Sequence, residues 1–217
     1  MDDPALDPAE HRRALEGLAR LNRFSGSARV QWPAIGALAR KLRRPVSVLD
    51  VATGAGDVPA GLLARARRAG IVLEVAGCDV SPVAVATAER TCPAGRFFVH
   101  DVLGEPLPGR FDVVACSLFL HHLSSAEAIL LLTRLREAAQ HLVLVNDLVR
   151  SRLNYLSVAL ACRVLSGSRI VRFDGPASVR SAFNRTEALE LADAAGLTGA
   201  RVERRLPCRF LLTWSRG

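Results

Sequence analysis

A chain of 217 residues, half of them hydrophobic, can bury the core of one domain, and the absence of a long charge-free apolar run argues against a membrane-spanning segment. The formal charge of +8 raises the question of nucleic acid, but Lys41 is the only lysine among 29 basic residues, the arginines are spread along the chain, and the interleaved aromatics of a base-stacking surface are missing. Solvated basic faces and no nucleic-acid partner are therefore expected.

The acidic opening Met1-Asp2-Asp3-Pro4 lacks the basic start and apolar core of a secretory signal, so a cytoplasmic protein without stable membrane insertion is expected. Its cysteines, Cys78, Cys92, Cys116, Cys162 and Cys208, form no C-x-x-C pair. They read as small hydrophobes, and neither a disulfide framework nor a metal site is expected.

In chain order, Asp7-Pro8-Ala9-Glu10 reads as a capping box, and Leu15, Leu18 and Leu21 continue at helical spacing, so a helix should run to about Arg23. Pro33 opens a second helix with Ile35, Leu38 and Leu42 on one face, ending before Pro45. Residues 1–45 are thus expected to form an N-terminal helical cap on a domain spanning 46–217. From Val46 the pattern alternates. Strands are predicted over Val46 to Ala52, Ile71 to Asp79, Arg96 to His100, Phe111 to Ser117 and His141 to Asp147; helices over Val58 to Ala69, from Pro82, and over Ser125 to Gln140. Strands alternating with helices imply a parallel, doubly wound α/β sheet.

After Asp147 the pattern changes. Leu153 to Leu165 is apolar on nearly every side, and a polar, glycine-containing stretch follows to Ser181; a substrate lid over about 150–183 is expected here. Thr186 caps a helix that Gly196 ends. The last two strands, Gly199 to Arg205 and Cys208 to Trp214, have only Leu206 and Pro207 between them, so they pair as an antiparallel hairpin.

Ligands of a doubly wound sheet bind beyond the carboxyl ends of its strands. The first strand ends in "VLDVATGAGD", and acids stand at three successive strand ends: Asp50 and Asp57 around the first, Asp79 after the second, Asp101 after the third. Asp79 follows Gly56 by 23 residues, the distance at which a nucleotide fold places the carboxylate that accepts both ribose hydroxyls. No Walker sequence is present, G-x-G-x-x-G fails after Gly56, and Asp57 would repel a pyrophosphate. A phosphate-free, positively charged nucleoside suits the loop.

From about Val46 to Asp147 the chain resembles a class I S-adenosylmethionine-dependent methyltransferase. "VLDVATGAGD" is similar to the first motif of the ubiquinone and menaquinone methyltransferase-like branch, "GCDVSP" to its second and "FDVVACSLFLHHL" to its fourth, with Ala52 where the family often has glycine. The resemblance implies a Rossmann-like, seven-stranded, mostly parallel sheet finished by the hairpin, and S-adenosylmethionine as cofactor. It implies that Asp50, Ala52, Thr53, Gly54 and Gly56 lie against the methionine portion, that Asp79 holds the ribose with Val80 on the adenine face, that Asp101 accepts from the adenine amino group beside Val102, and that Ser117 approaches the methionine amino group. A helix cap is the structural alternative for Asp79. A weaker resemblance, from "NDLVRSRLNYL" to "RFLLTW", is to methyltransferases of polyketide and phenolic-lipid pathways.

The proline-rich run of base-amine methyltransferases is replaced after the fourth strand by Ser117-Leu118-Phe119-Leu120, which favours a hydrophobic small-molecule acceptor. His121 and His122 follow and are candidate proton acceptors, with structural support of the loop as the alternative. Phe24, Trp32, Phe119, Asp147, Tyr155 and Arg180 are candidate acceptor-site residues, and the apolar helix carrying Tyr155 lines either a substrate channel or a homodimer face. The expected reaction is O-methylation of a phenol, quinol or polyketide. C-methylation of a quinone precursor is the nearest alternative, ahead of RNA methylation or non-catalytic cofactor binding.

Overall fold

The computed structural model describes residues 26–152, 154–156, 177–206 and 208–217. The helix expected up to Arg23, Phe24, Cys162 and most of the expected lid lie outside them.

The first described helix, α1 (Ser27–Leu42), begins well before Pro33. The buried positions Ser27, Val30, Gln31, Ile35, Gly36 and Ala39 repeat at helical spacing on both sides of the proline, so one continuous face overrides the break. Pro33 itself is exposed, where the carbonyl it leaves without an amide partner can be hydrated.

Alternation follows: β1 (Val46–Val51), α2 (Asp57–Arg68), β2 (Leu73–Asp79), α3 (Pro82–Thr91), β3 (Arg96–Val99), β4 (Phe111–Ser117), a single 3-10 turn (Leu120–His122), α4 (Ser125–Ala138) and β5 (Ala139–Leu148). The chain closes with α5 (Arg185–Ala194), β6 (Arg201–Arg205) and β7 (Arg209–Ser215). The cap of α5 is Asn184, not Thr186: its side chain accepts from Thr186 and Glu187 N–H groups, and Glu187 returns the bond to the Asn184 N–H.

The sheet has seven strands in the order β3-β2-β1-β4-β5-β7-β6. The first five run parallel, and β7 pairs antiparallel with β5 and β6, as the short connection requires. Order reverses between β1 and β4, which fixes the crevice at the carboxyl ends of those strands as the ligand position. Both faces are covered. One cluster packs Leu49, Val114, Leu132 and Leu144's neighbour Val145 beneath α4 and α5; the other packs Val48, Val113, Leu144 and Leu211 against α1 and α2. Strand residues of the second face therefore put Asp50, Ser117, Asn146 and Arg209, in step with those apolar positions, at the carboxyl edge on the α1 side. No helix among the described residues is long and apolar enough to cross a membrane.

Candidate functional site

The loop after β1 is built from backbone turns. Ala52 adopts φ 54° and Gly56 φ 76°, the left-handed region. A Cβ on Gly56 would lie 2.9 Å from the Ala88 backbone, so only glycine lets the loop pack on α3. Nothing lies within 4 Å of a Cβ placed on Gly54, so the outer face of the loop is open to a ligand. Two anchors fix it: Thr53 N–H donates to the Cys78 carbonyl at 2.9 Å, and Gly54 N–H donates to Asp79 Oδ2 at 2.9 Å.

Asp50 is buried beneath this loop. Thr53 Oγ1 donates to its Oδ2 at 2.8 Å, while Oδ1 has no hydrogen-bond partner. Burial pushes its carboxyl up to about 8, against the lowering bond from Thr53 and with Asp57 and Asp79 adding repulsion. A cation beside this carboxyl would favour its charged form.

Asp79 accepts from Gly54 N–H with one oxygen and from Ser81 N–H with the other, at 2.9 and 3.0 Å. Ser81, not Asp79, caps α3 through its own hydroxyl. Each Asp79 oxygen retains acceptor capacity for a diol. Beside it Val80 is 65% exposed, an apolar side chain held at the crevice rim. Asp101 is exposed and accepts from Leu103 N–H at 2.9 Å, while Val102 is buried in the core.

The Ser117 hydroxyl accepts from Gln31 Nε2 at 2.8 Å, and Gln31 Oε1 is buried without a partner. Ser27 Oγ accepts both from Asn146 Nδ2 at 3.2 Å and from Arg209 Nη1 at 2.7 Å. Gln31, Ser27, Asn146 and Arg209 were not singled out from sequence. The available signal was polarity in apolar runs: an arginine within the last strand, and an asparagine at the end of "LVLVN".

The other face of the same edge carries a dyad. His121 Nδ1 and Asp147 Oδ1 are 2.6 Å apart, both residues are buried, and Asp147 also accepts from the N–H groups of His121 and Leu148. Asp147, expected at the acceptor, thus has its carboxylate engaged by His121 and the backbone. Nε2 of His121 makes no hydrogen bond among the described residues. His122 is exposed and its ring lies 4.1 Å from that of His121, tilted by 37°. Leu118, at φ 57°, turns the chain so that Phe119 packs on the core at the start of the 3-10 turn.

Among the remaining candidates, Tyr155 and Arg180 meet: the guanidinium donates to the tyrosine hydroxyl at 2.8 Å and its carbon lies 4.9 Å from the ring centroid. Trp32 packs against the α1–α2 core, with its ring 3.4 Å from a Cβ placed on Gly36. Among the described residues no group of three metal-binding side chains converges.

Residues 48–142 match a family model described as a methyltransferase domain. No curated protein sequence matches the chain. Solved structures give the fold. The plantazolicin methyltransferase BpumL, in complex with a monoazolic desmethylPZN analog and SAH, superposes with a TM-score of 0.70 at 13% identity, over 94% of this chain and 88% of that one. Human N-acetylserotonin methyltransferase in complex with SAM gives 0.69 at 15% identity over 97% of this chain and 57% of that one. An O-methyltransferase family 2 protein from Planctomyces limnophilus, in complex with apigenin, gives 0.68 at 14% identity over 100% of this chain and 64% of that one. The chain therefore spans less than two thirds of the length of the last two. The segment that matches the methyltransferase-domain model carries the glycine loop after β1 and the carboxyl ends of β1 to β4 that border the crevice, and the seven-stranded sheet around it is the fold of these solved methyltransferases.

Proposed function

We propose that the protein transfers a methyl group from S-adenosylmethionine to an oxygen of a hydrophobic phenol, quinol or polyketide, with His121 taking the proton. The observation that carries this reading is the buried His121–Asp147 pair at the carboxyl edge of the sheet, 2.6 Å between Nδ1 and Oδ1.

The residues present fit the cofactor. The partnerless oxygens of Asp50 and Gln31 suit the ammonium group, the open face at Gly54 admits the chain of the methionine, and Asp79 suits the ribose diol. Ala52, Thr53 and Gly56 shape that loop, Ser117 orients Gln31, Val80 suits the adenine face, and Asp101 beside Val102 suits the adenine amino group. When bound, S-adenosylmethionine supplies a methyl group already activated on its sulfonium. The chain must therefore position the acceptor, exclude water and hold a proton.

Asp147 accepts the Nδ1 proton of His121, which leaves Nε2 as the basic nitrogen and stabilises the imidazolium once the acceptor hydroxyl has given up its proton. His122 stacks on the ring and supports its orientation. Phe119, Trp32, Phe24, Tyr155 and Arg180 are assigned to the acceptor side, under a cap from residues 1–45 and a lid over about 150–183. The apolar residues after β4 and the neighbour solved with apigenin support a hydrophobic acceptor, and the ubiquinone-like motif supports a quinol within that class.

Incubation with isotopically labelled S-adenosylmethionine and a panel of alkylphenols, quinols and total RNA, read by mass spectrometry, tests the reading. Label on a phenolic oxygen is expected. Label on ring carbon or on RNA alone overturns it.

A further inference from the structure

Arg209 is the second residue of the segment that enters β7 from Cys208, and it is only 5% exposed. Buried guanidinium groups are almost always paired with an anion. Here one N–H group meets the Ser27 hydroxyl at 2.7 Å, and no carboxylate among the described residues lies within ion-pair distance. Burial lowers the guanidinium to about 10, and the charges that reach it are Asp147 of the dyad, Asp57 at the end of the glycine loop and Cys208. Asp147 is committed to His121 and the backbone. The same serine hydroxyl also accepts from Asn146, whose Oδ1 is buried without a donor. The cluster thus offers a buried cation, hydrogen-bonded among the described residues to one serine hydroxyl, next to an acceptor atom in want of a hydroxyl, within electrostatic range of the dyad.

Resting on the methyl-transfer reading above, we propose that Arg209 is an acceptor-binding residue that receives the ionised oxygen of the phenol or enol, with Asn146 taking a hydrogen bond from a neighbouring hydroxyl of the same molecule. The substrate class this selects is a polyhydroxylated, acidic phenol or enol rather than a simple alcohol. Deprotonation by His121, whose dyad stands on the other face of the same edge, leaves a negative charge on the acceptor that a fixed cation across that edge stabilises. A carboxylate on the cofactor's methionine could supply the same anionic chemistry. Its hydroxyl partner Ser27 links Arg209 to Asn146, the neighbour of Asp147 at the end of β5, and also lies one helical turn from Gln31, assigned above to the cofactor, so the experiment separates the two sources.

The experiment uses the full chain saturated with S-adenosylhomocysteine and titrated with 4-nitrophenol, whose ionised form is read by its visible absorbance. The wild type is expected to bind the phenolate about tenfold more tightly than the phenol, seen as a downward shift of the bound dye's pKa of about one unit. Arg209→Gln should abolish that preference, Arg209→Lys should retain part of it, and S-adenosylhomocysteine affinity by calorimetry should stay within about twofold in both. If Arg209→Gln does not fold, Ser27→Ala, which removes only the hydroxyl that orients the guanidinium, must reduce the preference. The proposal is overturned if the preference survives in Arg209→Gln or in Ser27→Ala, or if the wild type binds no nitrophenolate up to its solubility limit. It is also overturned if Arg209→Gln weakens S-adenosylhomocysteine but not methylthioadenosine, which lacks the carboxylate; the arginine then serves the cofactor. Failure of the wild type to bind S-adenosylhomocysteine at all sinks the methyl-transfer reading itself.

Discussion

A histidine is a useful base only when its tautomer and position are fixed, and at His121 both are set by one carboxylate. Asp147 holds Nδ1 at 2.6 Å and also accepts from the Leu148 N–H at 2.6 Å, so it cannot swing away without losing backbone bonds. Replacing His121 by glutamine should lower turnover of a phenolic acceptor by about two to four orders of magnitude, with little change in cofactor affinity. Asp147→Asn, which keeps the shape but reverses the hydrogen-bond preference at Nδ1, should fall in the same range. His122→Ala should cost far less, since that ring is exposed and lies against His121, whereas His121 holds the buried contact with Asp147. Single-turnover measurements with the true acceptor check all three; equal losses at His121 and His122 would mean the rings act as a unit. At Asp79 the two backbone N–H bonds it accepts make it a loop anchor as well as a diol acceptor. Asp79→Ala is accordingly expected to weaken cofactor binding by more than the hydroxyl contacts alone supply, on the order of 2 to 3 kcal/mol. Calorimetry against S-adenosylhomocysteine measures it.

At the scale of elements, the sheet was legible because each strand is a short apolar run bounded by punctuation. β4 was placed at Phe111–Ser117 to the residue, and the hairpin followed from the two residues between its strands. The loop acids were legible for the same reason, standing where apolar runs stop. Helix α1 was less so. Its buried face includes Ser27 and Gln31, polar residues that read as surface in sequence, and Pro33 read as a start. Those two residues become intelligible only when Ser117, Asn146 and Arg209 arrive from strands 86, 119 and 182 positions away. Hydrogen bonds over such separations leave no periodic trace. The seat of α1 depends on Gly61, where a Cβ would come within 2.7 Å of Ala28 Cβ on α1. Gly61→Val should push α1 outward and carry Ser27 and Gln31 with it. The expected result is a loss of about 1 to 3 kcal/mol in stability together with weakened cofactor affinity. Chemical denaturation paired with calorimetry reads both, and loss of stability without loss of affinity would separate α1 from the site.

Across the whole molecule, two buried carboxylates occupy opposite ends of the sheet and respond to pH in opposite senses. Asp112 sits near the amino ends of the strands, where it accepts from Arg44, from the Ser47 N–H and from the Ser47 hydroxyl. Burial opposes its ionisation, but the bonds from Arg44 and Ser47 outweigh that and hold it below the ordinary 3.8. Its contribution to stability is present above that ordinary value and disappears as pH falls through the folded one. Asp50, at the carboxyl end, is raised from 3.8 to about 8 by burial. The folded state then holds a proton that the unfolded state has lost, so the stability this group contributes is full below 3.8 and is lost as pH rises through about 8. Asp50→Asn should therefore flatten the fall in unfolding free energy across that window, whereas Asp112→Asn should destabilise the protein at neutral pH and leave cofactor affinity within about twofold, because its end of the sheet is remote from the crevice. A cofactor cation beside Asp50 reverses the penalty, since it favours the charged carboxylate. Stabilisation by S-adenosylmethionine should accordingly grow as pH rises from 5 toward about 8 in the wild type and stay level in Asp50→Asn. Thermal unfolding across that range, with and without the cofactor, measures the difference; parallel profiles for the two proteins would show that the cation does not reach Asp50.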